Sequence, residues 1–296
     1  MRPPTGPYLI DHLFGIAFLT VRWYGVLIVT GALLAGVLAA RRARARGIDG
    51  EHVWNQLLLG MLLGVVGARI YYVAFEWDRY AGRPLLEIVN PQGGGLAIHG
   101  AIVGATLAAL IYTRRHHLPL LRWLDICMPT LLVGQAIGRW GNFFNEEAYG
   151  RPTTLPWGLD IPPDRRIPPY DNLAQYPTST RFHPTFLYES LWDAGALLLI
   201  LAIERRWRGR LKRGDSALLY GVLYSAGRFV TEGLRTDSLC VGAYTLDGSC
   251  VGGLRIAQLV SLAALVICGL LLAWRHRPGT GRMPSLPPAV DLNGGE

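Results

Sequence analysis

Seven runs of predominantly apolar residues, near 23–40, 54–75, 96–112, 126–144, 184–203, 216–234 and 254–274, limit what this 296-residue chain can fold into. A helix needs about 20 such residues to cross a hydrocarbon core. Inside lipid every backbone N–H and C=O must be paired within the protein, and runs of this length achieve that as helices. The fold class read from the sequence is therefore all-α: a polytopic membrane protein with about seven transmembrane helices. Composition agrees, since only 17% of residues are charged, against roughly a quarter in soluble domains. The mean hydropathy is +0.26.

The net charge of +8 has a pattern. Arg41, Arg42, Arg44 and Arg46 follow the first run, and Arg114, Arg115 and Arg122 the third. Five more arginines and Lys212, from Arg205 to Arg213, follow the fifth, and Arg275, Arg277 and Arg282 the seventh. By the positive-inside rule these loops are cytoplasmic, which puts the N-terminus outside and the C-terminus inside. A nucleic-acid surface would instead interleave basic residues with aromatics on one face, so no nucleic-acid partner is expected. The first run reads as a retained anchor, because its positive charges come after it, whereas a cleaved signal carries them before.

One transmembrane domain is expected over residues 1–282, catalytic if the resemblance described below holds. It includes an outer-side head segment at about 145–183 whose seven prolines forbid continuous helix. Residues 283–296 read as a disordered cytoplasmic tail. Cys127 and Cys268 fall inside spans as small core residues. Cys240 and Cys250 share the loop between the sixth and seventh spans, on the outer side, where an oxidising compartment would let them pair. Glycines four apart (Gly60 and Gly64, Gly100 and Gly104, Gly134 and Gly138) read as close helix contacts.

The stretch "GRWGNFFNEEAYG" (138–150) ends the fourth run with Arg139, Asn142, Asn145, Glu146 and Glu147. A charge at the bilayer centre costs roughly 2.5–3.5 kcal/mol on insertion scales, so such residues face the bundle interior and one another. Other spans bring polar groups to the same side: Tyr24 in "RWYG", Arg69 in "GARIYYV", His99 in "IHGAIVG", Glu189 in "HPTFLYES", and Tyr224, Arg228 and Glu232 in the sixth. Arg228 and Glu232 are four apart and share a helix face. Several have plain structural alternatives. Glu232 would only neutralise Arg228, Arg69 would clamp a loop, and Trp23 and Tyr72 would sit as interfacial aromatics. Arg139 and Arg228 exceed what one glutamate partner neutralises. Guanidinium is a planar fork of donors suited to phosphate, so a phospholipid-headgroup site is expected.

The thirteen residues 138–150 resemble the signature G-R-x-G-N-F-x-N-x-E-x-x-G of the prolipoprotein diacylglyceryl transferases, matching at Gly138, Arg139, Gly141, Asn142, Phe143, Asn145, Glu147 and Gly150. The likeness extends through "RWYG", "GARIYYV", "LDICMP" with Asp125, "YSAGRFVTEGLR" with Arg228 and "RIAQLVS" with Gln258. Two positions depart: Ala101 stands for a glycine in "HGAIVG", and Phe186 for the usual glutamine in "HPTFLYE".

The resemblance implies a multi-pass enzyme of the bacterial plasma (inner) membrane, its active site toward the outer side. Such enzymes move the diacylglyceryl group of phosphatidylglycerol onto the lipobox cysteine of a preprolipoprotein signal peptide, forming a thioether and releasing glycerol phosphate. Arg139 and Arg228 are then the phosphate ligands, and His99 is the candidate base. Tyr24, Asn142, Glu147, Gly150, Tyr224 and Glu232 complete the phosphatidylglycerol site. No metal or organic cofactor is implied, since the substrate carries its own leaving group. Two rivals remain: a transporter or flippase, which would favour internal repeats and midplane polar residues, and a non-catalytic lipid-binding scaffold.

Overall fold

The computed structural model describes residues 1–11, 20–90, 94–242, 250, 253 and 255–277. The expected tail at 283–296 lies outside them. Among the described residues seven helices have 18 or more residues: α1 (Trp23–Arg44), α2 (Glu51–Phe75), α5 (Ile98–Arg115), α6 (Leu120–Asn145), α7 (Thr185–Arg206), α8 (Asp215–Glu232) and α9 (Ile256–Arg275). Five of these, α1, α2, α6, α7 and α9, are long and apolar enough to cross a membrane. The other two are the shortest: α5 ends in Arg114 and Arg115, and α8 contains Asp215, Arg228 and Glu232.

The architecture is mostly helical rather than purely so. Short strands β1 (Tyr8–Ile10) and β2 (Val21–Arg22) pair ahead of α1, and two single-turn helices, α3 (Trp77–Tyr80) and α4 (Leu85–Val89), fill the α2–α5 connection. The segment expected to be irregular holds a three-stranded antiparallel sheet, ordered β3 (Pro152–Thr153), β5 (Arg181–Phe182), β4 (Leu159–Asp160). Its core is Tyr149, Leu159, Ile161, Tyr170, Phe182 and Phe186. Prolines lack an N–H, so a proline-rich segment has more acceptors than donors. Arg166, 6% exposed, makes up part of the deficit by donating to the carbonyls of Ile161, Tyr176, Pro177 and Thr178 at 2.8–3.1 Å.

Helix α6 is the axis, in contact with α1, α7 and α8, while α2 packs along α5 and α8 along α9. The α2–α5 seam needs glycine. A Cβ at Gly100 or Gly104 would collide with the α2 backbone at Gly67 or Leu63, so the helices approach closely only because both lack one. Gly60 and Gly138, by contrast, have open space where a Cβ would stand, so no close approach requires glycine there. Large apolar side chains point outward all around, among them Leu62, Ile70, Ile102 and Leu270, each about 60% exposed. Contiguous apolar surface of that extent marks a membrane interface rather than a soluble surface.

At the end of the bundle away from the head, Asp125 of α6 accepts from the Gly214 and Ala217 N–H groups at 2.6 and 3.1 Å. It thus caps α8 across the helix interface.

Candidate functional site

Local backbone explains why α6 ends in so many polar residues. Glu146 and Ala148 both adopt positive φ (55°), so the chain leaves the helix through two left-handed steps. The Glu146 and Glu147 N–H groups return to the carbonyls of Phe143 and Asn142 at 3.1 Å, satisfying the helix end. Asn142 and Asn145 then both donate to Glu147 Oε1, at 3.0 and 3.2 Å. The next residues enter the head: Tyr149 is buried there, and Gly150 pairs with Arg235. A Cβ on Gly150 would lie 2.7 Å from His183 Cβ and 3.1 Å from the Leu234 carbonyl. Gly150 is therefore a close-packing position between the head and the end of α8, buried away from the open cavity.

A cavity of about 560 Å³ runs along the α1–α6 seam. Tyr24, Arg139 and Asn142 line one end; Ala35, Ala39, Val53 and Cys127 line the other. From Tyr24 to Ala39 is about 22 Å at 1.5 Å per residue, more than the depth of one leaflet's chains, half of a core about 30 Å thick. The Tyr24 ring occupies space that a side chain at position 141 would fill, since a Cβ there would be 2.5 Å from Tyr24 Cδ2. That contact accounts for Gly141.

Arg139 does not stand alone. Its Nη2 is 2.6 Å from Glu189 Oε2, and Arg228 Nη1 is 3.4 Å from the same oxygen. Arg228 Nη2 lies 2.6 Å from Glu232 Oε2, as an ion pair rather than an aligned hydrogen bond. Arg235, beyond α8, reaches Glu189 Oε1 at 3.8 Å and makes a two-point contact with Asp237 at 2.6 and 2.9 Å. Burial alone would push the Arg235 guanidinium down, but the Asp237 hydrogen bond and charge, then Glu189 and Glu232, carry it above its ordinary value. The premise that Arg139 and Arg228 outnumber their glutamates therefore fails. Glu189, 6% exposed, sits between three arginines. The sequence held the signal for it, an acidic residue opening an apolar run. Arg235 was legible only as the residue seven beyond Arg228, on the same face if the helix continued.

The remaining candidates separate. His99, exposed in the first turn of α5, stacks on Tyr71 with ring centroids 5.7 Å apart. Its helix neighbour Ile98 lines the cavity, yet among the described residues no hydrogen bond or ion pair joins His99 to the arginines. Tyr224 stacks on Tyr220 (5.6 Å) in the α6–α7–α8 core, one helix turn from Arg228. Glu232, 2% exposed, is buried and paired with Arg228. Arg69 donates to the carbonyls of Ile88, Gly94, Gly95 and Glu87 at 2.8–3.1 Å, so it clamps the α2–α5 loop. Phe186 stacks on Phe143 (4.7 Å) and edge-on to Trp140 (5.2 Å), an apolar role no amide could fill. Cys240 and Cys250 form a disulfide in the loop after α8.

The geometry describes a largely apolar cavity with Arg139 at its polar end, tied into an arginine–carboxylate network behind it. Comparison with known proteins gives the class. The family model for prolipoprotein diacylglyceryl transferase matches residues 11–274, and the chain belongs to that family. It is 54% identical over 301 residues to the phosphatidylglycerol–prolipoprotein diacylglyceryl transferase of Chloroflexus aggregans, covering 99% of this chain and 97% of that one. Proteins of the same name from Synechococcus elongatus and Gloeobacter violaceus are each 46% identical, over 96% and 92% of this chain and 91% and 93% of theirs.

Proposed function

We propose that this chain is a transferase that moves the diacylglyceryl group of phosphatidylglycerol to the cysteine thiol of a prolipoprotein. The observation that carries the reading is the placement of Arg139. It lines the cavity beside Tyr24 and Asn142 while Glu189 holds its guanidinium against those of Arg228 and Arg235. A phosphate at that end meets oriented fork donors, and the lipid chains extend down the apolar wall toward Ala39 and Cys127.

The thiolate sulfur attacks the glyceryl carbon bonded to the phosphate oxygen. A C–S bond forms, the C–O bond breaks, and glycerol phosphate leaves with the bonding pair. The thiol proton goes to a base, for which His99 is the candidate at the mouth beside Ile98. Charge grows on the departing phosphate, so donors fixed beforehand stabilise the transition state more than the ground state. Glu189 and Glu232 hold the arginines in place, Asn142 and Glu147 fix the mouth, and Tyr24 stands against Gly141 over the headgroup.

We place the protein across the bacterial plasma membrane with seven spans, N-terminus outside and C-terminus cytoplasmic, and the head and cavity mouth on the outer side. Support comes from the length of α5 and α8, about 27 Å each, and from the arginines gathered at the end opposite the head. A flippase would present its polar groups near mid-depth, whereas these lie at one end of the helices. The test is direct: purified protein is incubated with phosphatidylglycerol and a lipobox peptide, and the peptide is weighed. A diacylglyceryl mass increment supports the reading; an unmodified peptide with folded protein overturns it in favour of a lipid-binding scaffold.

A further inference from the structure

The end of the bundle opposite the arginine–glutamate network holds a second cavity, of about 900 Å³. Its walls are the C-terminal end of α1, the start of α6, the end of α7 and the loop leading to α8. Two carboxylates lie in it, and both are already engaged. Glu204 accepts from Arg42 (2.8 and 2.9 Å), Arg46 (3.1 Å) and Ser216 (2.5 Å). Asp125 is taken by the two N–H groups that it caps. Arg122, Arg205, Arg208 and Arg213 also line the cavity, and among the described residues their guanidinium groups have no hydrogen-bond or ion-pair partner. Arg46 feels the surplus: burial, then the neighbouring Arg42, lowers its guanidinium from the ordinary value.

Topology alone explains arginines after a membrane helix, but it does not require them to converge. Here four arginines with unpaired guanidinium groups, from three walls, line one space, with every carboxylate in it already engaged. Two features point to a lipid rather than a soluble anion. Three of the wall helices, α1, α6 and α7, are long and apolar enough to cross a membrane, so the cavity opens where their apolar stretches end. Leu201 and Leu211 also line it, and α7 continues away from it with Leu198 and Leu199 exposed. Guanidinium forks over a leucine-bearing helix suit a phosphate with acyl chains attached.

We propose that this basic cavity binds the phosphate headgroup of an anionic phospholipid, at a site separate from the transferase cavity and sharing none of its residues. The site holds its ligand without chemistry. It does not depend on the proposed reaction, because its ligand is read by binding alone.

The test uses full-length protein in neutral detergent, titrated with dioctanoyl phosphatidic acid, dioctanoyl phosphatidylcholine or inorganic phosphate, with bound molecules counted by native mass spectrometry. Arg122→Gln with Arg208→Gln removes one guanidinium from α6 and one from the loop after α7, and leaves the other basic residues to hold topology. Wild type should bind phosphatidic acid in preference to phosphatidylcholine, and the double variant should lose one binding event, weakened about tenfold or more. Arg228→Lys, altered only at the other end, should keep it. Arg122→Lys with Arg208→Lys, which keeps the charge and so the insertion, should weaken it by a smaller factor. Unchanged phosphatidic acid binding in the glutamine variant overturns the proposal. So does inorganic phosphate that binds the same site as tightly as the lipid, which would make it a soluble-anion site.

Discussion

Arg139→Lys and Arg228→Lys, compared side by side, separate a phosphate ligand from a structural counter-charge. Arg139 touches one carboxylate oxygen, Glu189 Oε2 at 2.6 Å. An ammonium can keep a single contact of that kind, so Arg139→Lys should fold within about 1 kcal/mol of wild type. Arg228 bridges two carboxylates, Glu189 and Glu232, through different nitrogens. One ammonium cannot span both, and Glu232, 2% exposed, has Arg228 as its ion-pair partner. Stranding that charge costs up to about 3–5 kcal/mol, the range for breaking a buried pair; retention of one contact brings it toward about 1.5–3 kcal/mol. Activity should respond differently. If each guanidinium donates to the leaving phosphate, loss of one charged hydrogen bond lowers the rate roughly ten- to hundred-fold in either variant. The assays are thermal unfolding in detergent and mass-detected peptide modification, at matched amounts of folded protein. Arg139→Lys should be stable and slow; Arg228→Lys should be less stable and slow. Wild-type turnover in Arg139→Lys would refute the phosphate role, and an unshifted melt in Arg228→Lys would refute the two-carboxylate bridge.

Four further outcomes are expected. His99→Gln should lose roughly 10²–10⁴-fold in rate, with partial recovery as pH approaches the thiol's own value of about 8.5; a loss equal at every pH makes His99 a packing or lipid-contact residue. Reducing Cys240–Cys250, ten positions apart, should cost about 2–3 kcal/mol by the loop-closure relation, and unchanged melting with both thiols alkylated contradicts that. Gly150→Ala drives a methyl toward His183 and the Leu234 carbonyl and should destabilise by about 1–3 kcal/mol; a neutral melt would mean the head shifts freely. Burial pushes His183 below the ordinary imidazole value, so the folded protein binds fewer protons there than the unfolded chain. Stability from this group is complete above about pH 6.5 and falls as pH drops through that value toward the folded one. His183→Gln should flatten the acid limb of a melting series from pH 7 to 5, and an unaltered slope rules the effect out.

The apolar runs alone determined the helices. Each of the seven matches a helix of the fold to within six residues, because hydrocarbon solvent leaves a long apolar segment no other way to pair its backbone. Their ends were less legible: α1 carries Arg41, Arg42 and Arg44 within the helix, since arginine is a good helix former and Arg42 turns inward onto Glu204. The thirteen-residue signature was likewise readable as a polar helix end, because charge at the end of an apolar run is costly, and Arg139 and Asn142 do line the cavity. What tertiary structure decided is which charges meet. Glu189 lies 50 residues from Arg139 and 39 from Arg228, and no helical period links them; only the packing of α6, α7 and α8 brings three guanidinium groups to one carboxylate. The same packing assigned Gly150 to a backbone contact, Phe186 to an aromatic stack and Arg69 to a loop clamp. Local periodicity shows which face of a helix a residue occupies. The partner across that face depends on how the helices pack, and that was settled by glycine seams and side-chain volumes spread over the whole chain.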